Sequence, residues 1–383
     1  MRIYIDIGHP AYAHAFRHFI VEMKQRGHQV LVSARDKDIT YCLLQAWDID
    51  FTGRGTGYQQ PGRGLDNSGK PEEGSGIWLW FKSIAALFGK VIYLFSSVFK
   101  LLPVVRKFDP GLVMSFSSYH AALIGRLLGK PVLTFEDTED VSFLHPVNRA
   151  LSTRMITPAC FEKDFGRKHI RFDGYKELAS LHPARFVSQP LPASVNKPYI
   201  LIRFVSWLAY HDMGHQGIGE EMKFRIVERL SEFGTVYISS EKPLSSRLEP
   251  YRLPVSCEMG HSVLAGASLL FGESASMAAE AAMLGVPAIF IDNTGRGYTR
   301  ELEEKHRLIF NFSEDNSDVE RALDKAATLL GRGDIREEWL MKRDTMLTGK
   351  VDLTSWMIGL AESFSDESPT NQGIQKEMNS KSD

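Results

Sequence analysis

Short apolar runs alternate along the chain with longer segments whose hydrophobic residues recur every three or four positions. The run RIYIDI at residues 2–7 predicts a buried strand, and FRHFIVEMKQRG predicts an amphipathic helix that ends at Gly27. The same alternation starts again with PYILIRF at residues 198–204. Because parallel strands need crossover helices on their faces, the pattern predicts an α/β fold with two doubly wound, parallel-sheet domains.

The predicted domain boundary lies at residues 182–198, a stretch with four prolines. We therefore expect a first domain over residues 1–182 and a second over residues 198–362. The last segment, residues 363–383, is polar and has no hydrophobic period, so we expect a disordered tail there.

The charge balance and the cysteines narrow the class of protein. A net charge of −2 gives no global basic field, so we expect no nucleic-acid partner. Cys42, Cys160 and Cys257 are far apart and odd in number, which is typical of a reducing compartment with neither a disulfide framework nor a zinc site. The chain opens on a predicted strand and not on a signal peptide, so we expect a cytoplasmic protein.

The stretch ESASMAAEAAMLGVPAIFIDN, residues 273–293, places small residues and one carboxylate directly after a predicted strand. Ligands of open parallel sheets bind beyond the carboxyl ends of the strands, where the next helix presents free N–H groups that favour a diphosphate. We expect Ser274, Ser276 and Met277 to contact the diphosphate. Glu280, about one turn further in, is expected to accept the ribose hydroxyls. The alternative is that Ser276 caps the helix and Glu280 only stabilises its first turns.

The loop DIGHPAYAH after the first strand carries Asp6, His9 and His14. It is expected at the carboxyl edge of the N-terminal sheet, facing the cleft between the domains. A neutral imidazole there could act as general base on a hydroxyl group, so His9 and His14 are candidate catalytic residues. The alternative is that either histidine caps or packs the following helix.

Four acidic residues follow the predicted strand PVLTF, in the segment FEDTED. Crowded carboxylates raise the pKa of at least one of them, which provides an acid or a base near neutral pH. Glu136 and Asp137 are therefore candidate catalytic residues. The alternatives are a divalent-cation site built from carboxylate oxygens and a solvated acidic turn that caps the next helix.

The segment RFVSWLAYHDMGHQGI follows the first strand of the second predicted domain. Arg203 and His211 could neutralise a diphosphate, assisted by His215, because a departing diphosphate develops negative charge. The H-D-x-x-H spacing would suit zinc on a helix, but three nearby glycines disfavour a helix, so we expect no metal. No motif in the chain calls for a cofactor.

A glycine-rich segment, residues 53–76, precedes an apolar and basic segment, residues 77–105. The first predicts a surface loop, which is expected to cover the acceptor site. In the second, helical spacing groups the polar side chains on one arc: Lys82, Lys90, Ser97 and Lys100. Its charges disfavour a transmembrane span. A basic amphipathic helix can lie on an anionic membrane, and the alternative is an ordinary crossover helix packed on the sheet.

Six segments carry a resemblance to known proteins: IDIGHPAYAHAFRHFI, RGHQVLVSARDKD, FEDTED, FDGYKELASLHP, RFVSWLAYHDMGHQGI and SMAAEAAMLGVPAI. Up to roughly residue 345 the chain resembles an uncharacterised bacterial and archaeal domain family, related to GT-B glycosyltransferases and UDP-N-acetylglucosamine 2-epimerases. The resemblance implies two Rossmann-like domains facing a central cleft, with the nucleotide held mainly by the second and a C-terminal helix that packs back across the junction. One departure is SASM at residues 274–277, where that family tends to have Gly-Gly-Thr-Met.

This resemblance implies a glycosyltransferase that uses a nucleotide-activated sugar, most plausibly UDP-linked, in surface polysaccharide or glycolipid assembly. Its partners would be the nucleotide-sugar donor, a saccharide or lipid-linked acceptor, and the inner face of the membrane through residues 77–105. One alternative is a 2-epimerase or hydrolase, although Ser115 and Ser117 stand where the epimerases carry an aspartate. Another is a non-catalytic protein that binds nucleotide sugars, because fold does not fix function.

Overall fold

The computed structural model describes residues 1–56, 76–139, 144–205, 217–241 and 243–364. The strands of these residues form two sheets, and every paired strand runs parallel to its neighbours. The predicted glycine-rich loop and polar tail lie almost entirely outside the described residues.

The first sheet has seven strands: β1 Arg2–Ile7, β2 Gln29–Ala34, β3 Thr52–Gly53, β4 Leu112–Phe116, β5 Val132–Phe135, β6 Arg154–Pro158 and β7 His169–Phe172. Their order is β3-β2-β1-β4-β5-β6-β7. The accompanying helices are α1 Pro10–Gln25, α2 Thr40–Ala46, α3 Gly76–Phe108, α4 Tyr119–Leu127, α5 Leu144–Leu151 and α6 Leu178–Leu181. The strand order reverses between β1 and β4, so a crevice opens beyond the carboxyl ends of these two strands.

The second sheet has five strands: β8 Tyr199–Phe204, β9 Thr235–Ser240, β10 Leu269–Gly272, β11 Ala288–Ile291 and β12 Ile309–Phe312. Their order is β12-β11-β10-β8-β9. The described helices of this half are α7 Glu220–Ser231, α8 Gly260–Gly266, α9 Ala275–Met283, α10 Gly297–Glu304, α11 Asn316–Leu330, α12 Ile335–Leu347 and α13 Leu353–Glu362.

Two Rossmann-like parallel-sheet domains confirm the predicted fold class. Burial explains why the strands are nearly continuous apolar runs, since helices cover both faces of each sheet. In β1, Ile3, Ile5 and Ile7 are fully buried in one core cluster, and Tyr4 is fully buried in a second cluster on the other face. The predicted residue bounds of the two domains and the tail stay a prediction.

Two glycines fix where α9 begins and ends. Gly272 closes β10 against β8, and a Cβ at this position would collide with the backbone carbonyl of Arg203. Gly285 follows α9 with a φ of +65°, a left-handed conformation that glycine adopts without strain. The N-terminus of α9 therefore lies at the carboxyl edge of the second sheet, as its sequence predicted.

The C-terminal helix α13 crosses back to the first domain, where it packs on α1 and α6. Arg185 reinforces this contact, because its guanidinium binds Asp352 at 2.6 Å and also binds Glu22 of α1. The Thr354 hydroxyl donates a buried hydrogen bond of 2.7 Å to the backbone carbonyl of Ala179. The resemblance had implied this return of the last helix, and the structure confirms it.

The prediction of no disulfide is wrong. Cys42 of α2 and Cys257 of the second domain form a disulfide, with their Cα atoms 6.5 Å apart. They are separated by 215 residues in sequence, and the packing of α2 on the turn before α8 brings them together. Cys160 is the free cysteine. An odd count and wide spacing therefore do not exclude one bridge between two domains.

Helix α3 packs on the first sheet through Val98, Leu101 and Val105, which are buried in the cluster that contains Tyr4. Ser97 is buried as well, so the predicted polar arc is wrong at this residue. The position of the sheet decides which face turns inward, and a small hydroxyl side chain is tolerated on that face.

The opposite side of α3 is apolar and exposed. Ile92, Phe95 and Phe99 are 66%, 64% and 84% exposed, and Lys100 beside them is exposed too. α3 thus combines a buried crossover face with a second apolar face that no described residue covers. Within the described residues, no helix has the length and apolar composition that crossing a membrane would need.

Candidate functional site

The N-terminus of α9 is an open, polar helix end. Ser274 caps the helix from an extended backbone conformation, and its hydroxyl accepts a hydrogen bond from the Met277 N–H at 3.3 Å. The capping residue is thus Ser274 and not Ser276, which corrects the alternative considered from the sequence. Residues 274–277 are half-buried, and the first N–H groups of a helix have no acceptor within it, so those of Ala275 and Ser276 and the Ser276 hydroxyl can contact a ligand.

Glu280 lies one turn into α9 and is 9% exposed. Its Oε1 lies 3.3 Å from Nε2 of His261 on α8. The His261 ring in turn lies against His14 of the first domain, with ring centroids 4.0 Å apart. Burial, followed by the neighbouring His261, lowers the pKa of His14 well below its usual value, so this imidazole is neutral. The structure thus brings two predicted site residues, one from each domain, into one connected cluster.

His9 is the N-cap of α1. Its Nδ1 accepts a hydrogen bond from the Ala11 N–H at 3.2 Å, so the capping alternative holds for this residue. A neutral imidazole that accepts at Nδ1 carries its proton on Nε2. His9 therefore caps α1 through Nδ1, and its role as a catalytic residue stays a prediction.

Lys176 links the acidic segment after β5 to the N-terminus of α9. Its ammonium donates to Asp137 Oδ2 and lies 3.4 Å from Ser276 Oγ across the domain junction. The Glu177 carboxylate is 3.3 Å from the same ammonium, and the Tyr12 ring centroid is 5.7 Å away. Burial alone would lower the pKa of Lys176, but the carboxylates of Asp137 and Glu177 raise it well above its usual value.

Sequence reasoning missed Lys176 as a functional residue. Its segment FDGYKELASLHP carried part of the family resemblance, and that was the available signal. Nothing local distinguishes this lysine from a surface lysine, because Asp137, Tyr12 and Ser276, which surround its ammonium, are distant in sequence.

Glu136 points away from the ammonium of Lys176. Its carboxylate accepts hydrogen bonds from the Ser117 hydroxyl and from Asn148 Nδ2, the latter at 2.8 Å. Burial raises the pKa of Glu136 to about 8, and these two hydrogen bonds only partly offset that rise. The sequence expectation that crowding would shift one of these acids thus falls on Glu136, although burial and not a neighbouring charge is the main cause.

Asp6 lies in a closed polar network at the carboxyl end of β1. It is fully buried, accepts 2.6 Å and 2.5 Å hydrogen bonds from the Ser33 and Ser118 hydroxyls, and pairs with Arg54 at 3.0 Å. Burial would raise the pKa of Asp6, but the Arg54 guanidinium and the two hydroxyls lower it below its usual value. Every one of these partners belongs to the first domain.

Arg203 is the second-last residue of β8, and its guanidinium contacts residues at the end of β9. Its guanidinium binds Glu241 at 2.7 Å and Ser239 at 2.9 Å, so its charge is already neutralised. His211, its predicted companion, and the H-D-x-x-H spacing lie outside the described residues. Glu273 accepts hydrogen bonds from the N–H groups of Val205 and Ile218, which flank that segment.

The remaining acidic residue of FEDTED that the structure describes, Glu139, lies at the domain junction. Its carboxylate accepts hydrogen bonds from the Gly297 N–H at 3.3 Å and from the Glu162 N–H at 3.4 Å. In the part of the chain that the structure describes, no three His, Cys, Asp or Glu side chains are grouped as a metal site would require.

A separate groove of about 690 Å³ runs along the linker between the domains, away from α9's N-terminus. Arg336 lies in this groove and donates to the backbone carbonyls of Ala265 and Gly285. Because it satisfies the carboxyl ends of α8 and α9, its position has a structural explanation.

The arrangement of two facing Rossmann-like domains is the GT-B-like fold, which the resemblance had implied. No protein-family model matches the chain, and no curated protein matches its sequence. Solved structures do share the fold. The spinosyn rhamnosyltransferase SpnG, complexed with thymidine diphosphate, superposes with a TM-score of 0.59 at 16% identity, over 94% of this chain and 100% of that one.

Two further solved structures cover most of the chain. SsfS6, a glycosyltransferase of Streptomyces sp. SF2575, has a TM-score of 0.57 at 12% identity, over 94% of this chain and 99% of that one. The UDP-GlcNAc 2-epimerase of Neisseria meningitidis, bound to UDP-GlcNAc, has a TM-score of 0.60 at 12% identity, over 88% and 94%. At these identities the likeness shows the fold, which glycosyltransferases and 2-epimerases share.

Proposed function

We propose that the protein is a glycosyltransferase that moves a sugar from a nucleotide-activated donor, most plausibly a UDP-sugar, to a saccharide or lipid-linked acceptor. The observation that carries the proposal is the cleft itself. The N-terminus of α9, with Ser276 and Glu280, faces Lys176 and Asp137 of the first domain in a GT-B-like fold.

The second domain supplies the donor site in this proposal. The diphosphate accepts hydrogen bonds from the first N–H groups of α9 and from the Ser276 hydroxyl, as anions do at helix N-termini. Glu280 accepts the ribose hydroxyls, and its carboxylate lies 3.3 Å from His261 Nε2. When the sugar leaves, negative charge develops on the diphosphate, and the positive end of α9 stabilises it.

The first domain supplies the acceptor site and the base. Asp137 pairs with Lys176, whose ammonium reaches Ser276 on the donor side, and can take the proton of the attacking hydroxyl. Glu136, neutral at pH 7 with its pKa at about 8, stays within its own hydrogen bonds to Ser117 and Asn148.

The finer part of the proposal is the biological setting. We place the protein in the uncharacterised family that its six segments resemble, acting in surface polysaccharide or glycolipid assembly at the cytoplasmic face of the membrane. The support is the resemblance together with the exposed apolar face of α3.

A nucleotide-sugar 2-epimerase is the second candidate. The solved epimerase has the same fold. By the resemblance to the epimerases, Glu136 lies in the segment where they carry a catalytic glutamate. Against it, Ser115 and Ser117 stand where the epimerases carry an aspartate, and Ser117 is hydrogen-bonded to Glu136. A non-catalytic binding protein is the third candidate.

A panel of UDP-, TDP-, GDP- and ADP-sugars separates these functions. A transferase releases free nucleoside diphosphate only when a saccharide or polyprenyl-phosphate acceptor is present. Release without acceptor indicates a hydrolase, a change of the sugar at C2 indicates an epimerase, and binding without turnover indicates a binding protein. Asp137→Asn should retain nucleotide binding and lower transfer, and an unchanged rate would exclude Asp137 as the base.

Membrane contact through α3 is part of the proposed function. Between residues 76 and 108 the sequence has five basic residues and no acidic one. The exposed Ile92, Phe95 and Phe99 lie on the same helix, with exposed Lys100 beside them. Each basic residue near an anionic surface contributes roughly 1 kcal/mol, and insertion of the aromatic rings adds to this.

Co-sedimentation with vesicles tests this contact. Wild-type protein should pellet with phosphatidylglycerol-containing vesicles at low salt and less at high salt. A Phe95→Ser/Phe99→Ser variant should lose most of this binding and keep its stability, because both rings are exposed. A Val187→Ser/Met341→Ser variant removes two other exposed apolar residues as a control. Equal binding of all three proteins would refute the contact.

A further inference from the structure

We propose that Lys176 is a diphosphate-binding residue that the first domain contributes to the nucleotide site of the second. This inference rests on the proposed function, because it concerns the same site. Its ligand is the diphosphate group of a nucleotide sugar or of a free nucleoside diphosphate.

The ammonium of Lys176 lies beside the N-terminus of α9. Lys176 extends from the segment between β7 and α6, and its Nζ lies 3.4 Å from the hydroxyl of Ser276, the second residue of α9. An anion that accepts hydrogen bonds from the first N–H groups of α9 would therefore lie within reach of the same ammonium. The donor site is then complete only when both domains face each other.

The charges around Lys176 also favour a bound anion. A buried ammonium and the N-terminus of a helix are both positive, so placing them together is unfavourable without an anion between them. Asp137 and Glu177 of the first domain neutralise Lys176 and belong to its own side. On the side of the second domain, the described contact is the neutral hydroxyl of Ser276.

The contact between Lys176 and Ser276 is weaker than the bond that a phosphate oxygen would form with the same ammonium. The 3.4 Å contact to Ser276 is long for a hydrogen bond, and a phosphate oxygen in its place would make a shorter, charge-assisted bond. Glu177 Oε1 lies 3.3 Å from the same ammonium, so a carboxylate of the first domain stays beside Lys176 when its ammonium turns to an anion.

Calorimetry with a matched pair of ligands tests the inference. The first ligand is the nucleoside diphosphate that the wild-type protein binds most tightly among UDP, TDP, GDP and ADP. The second is the corresponding nucleoside, and its binding is measured by ligand-observed NMR. Lys176→Gln should weaken binding of the diphosphate at least about tenfold and leave binding of the nucleoside unchanged. Lys176→Arg should restore part of the lost affinity. A purely structural role would weaken both ligands equally.

Two further variants keep the test interpretable. Asp137→Asn/Lys176→Gln avoids an unpaired buried carboxylate and should show the same selective loss. Lys130→Gln removes an ammonium that pairs with Asp109 at 2.7 Å far from α9, and it should bind like wild type. Equal losses of affinity for both ligands, or no loss, would overturn the diphosphate role of Lys176 and leave the proposed function standing. A wild-type protein that binds no nucleoside diphosphate would overturn the proposed function as well.

Discussion

Two buried ion pairs lie at the carboxyl edge of the first sheet, and they differ in where their remaining contacts lead. Asp6 and Arg54 are joined at 3.0 Å and finish their hydrogen bonds inside the first domain, to Ser33, Ser118 and Tyr93. Asp137 and Lys176 are equally buried, but the lysine continues to Ser276 of the second domain.

Burial of a charged pair therefore does not identify a functional site by itself. A pair whose partners all belong to one domain stabilises that domain's sheet edge. A pair with one contact on the facing domain can change partners when a ligand or a domain movement alters the cleft. The direction of the last contact is the feature that separates the two.

We expect the largest loss of stability when the Asp6–Arg54 pair, whose contacts all lie within the first domain, is broken. Arg54→Met leaves the Asp6 carboxylate buried without its counter-charge and should lower the free energy of unfolding by about 3–5 kcal/mol. Urea denaturation measures this, with Lys130→Met at an exposed pair as the control, for which a change within about 1 kcal/mol is expected. Asp6→Asn/Arg54→Met should recover part of the loss. A loss of similar size in the control would remove the distinction between closed and exposed pairs.

The next effect concerns pH and Glu136. Its pKa is raised from 4.5 to about 8 in the folded protein, so the folded state holds a proton that the unfolded state loses. This contribution to stability is fully present below pH 4.5 and is lost as the pH rises to about 8. Glu136→Gln should therefore gain stability relative to wild type between pH 5 and pH 8, on the order of a few kcal/mol. Parallel pH–stability curves for the two proteins would contradict the raised pKa.

The smallest effect that we expect distinguishes the residue that binds the ribose from the residue that binds the diphosphate. Glu280→Ala should weaken binding of both the nucleoside and the nucleoside diphosphate by about 1–3 kcal/mol, because buried ribose hydroxyls lose their acceptor. Lys176 variants should affect the diphosphate alone, so the two residues give different patterns by calorimetry. Glu258→Ala removes a carboxylate on the turn just before α8 and serves as control. Unchanged affinity in a folded Glu280→Ala protein would end the ribose assignment.

The spacing of apolar and small residues along the chain predicts individual strands and helices. β1 and α9 were identified from an apolar run and from small residues between two strands, and both lie where the sequence placed them. The start of α9 at a sheet edge follows from the topology of parallel sheets, so Glu280 and Ser276 could be singled out as candidates without coordinates.

Contacts between the domains could not be predicted in this way. The Cys42–Cys257 bridge, the burial of Lys176 and the contact between His14 and His261 each join residues that are distant in sequence. Helical spacing likewise could not show that Ser97 faces the sheet, because α3 has apolar residues on two sides and the sheet selects one of them.

The disulfide has a topological consequence. It closes a covalent ring that enters at Cys42, passes through most of the first sheet, crosses the linker, and returns at Cys257 after 215 residues. A protease that cuts once within this ring opens it without dividing the protein, so the nicked chain stays a single covalent molecule until a thiol reductant cleaves the bridge. The two halves of the protein are therefore joined twice, once by the peptide backbone of the linker and once by sulfur.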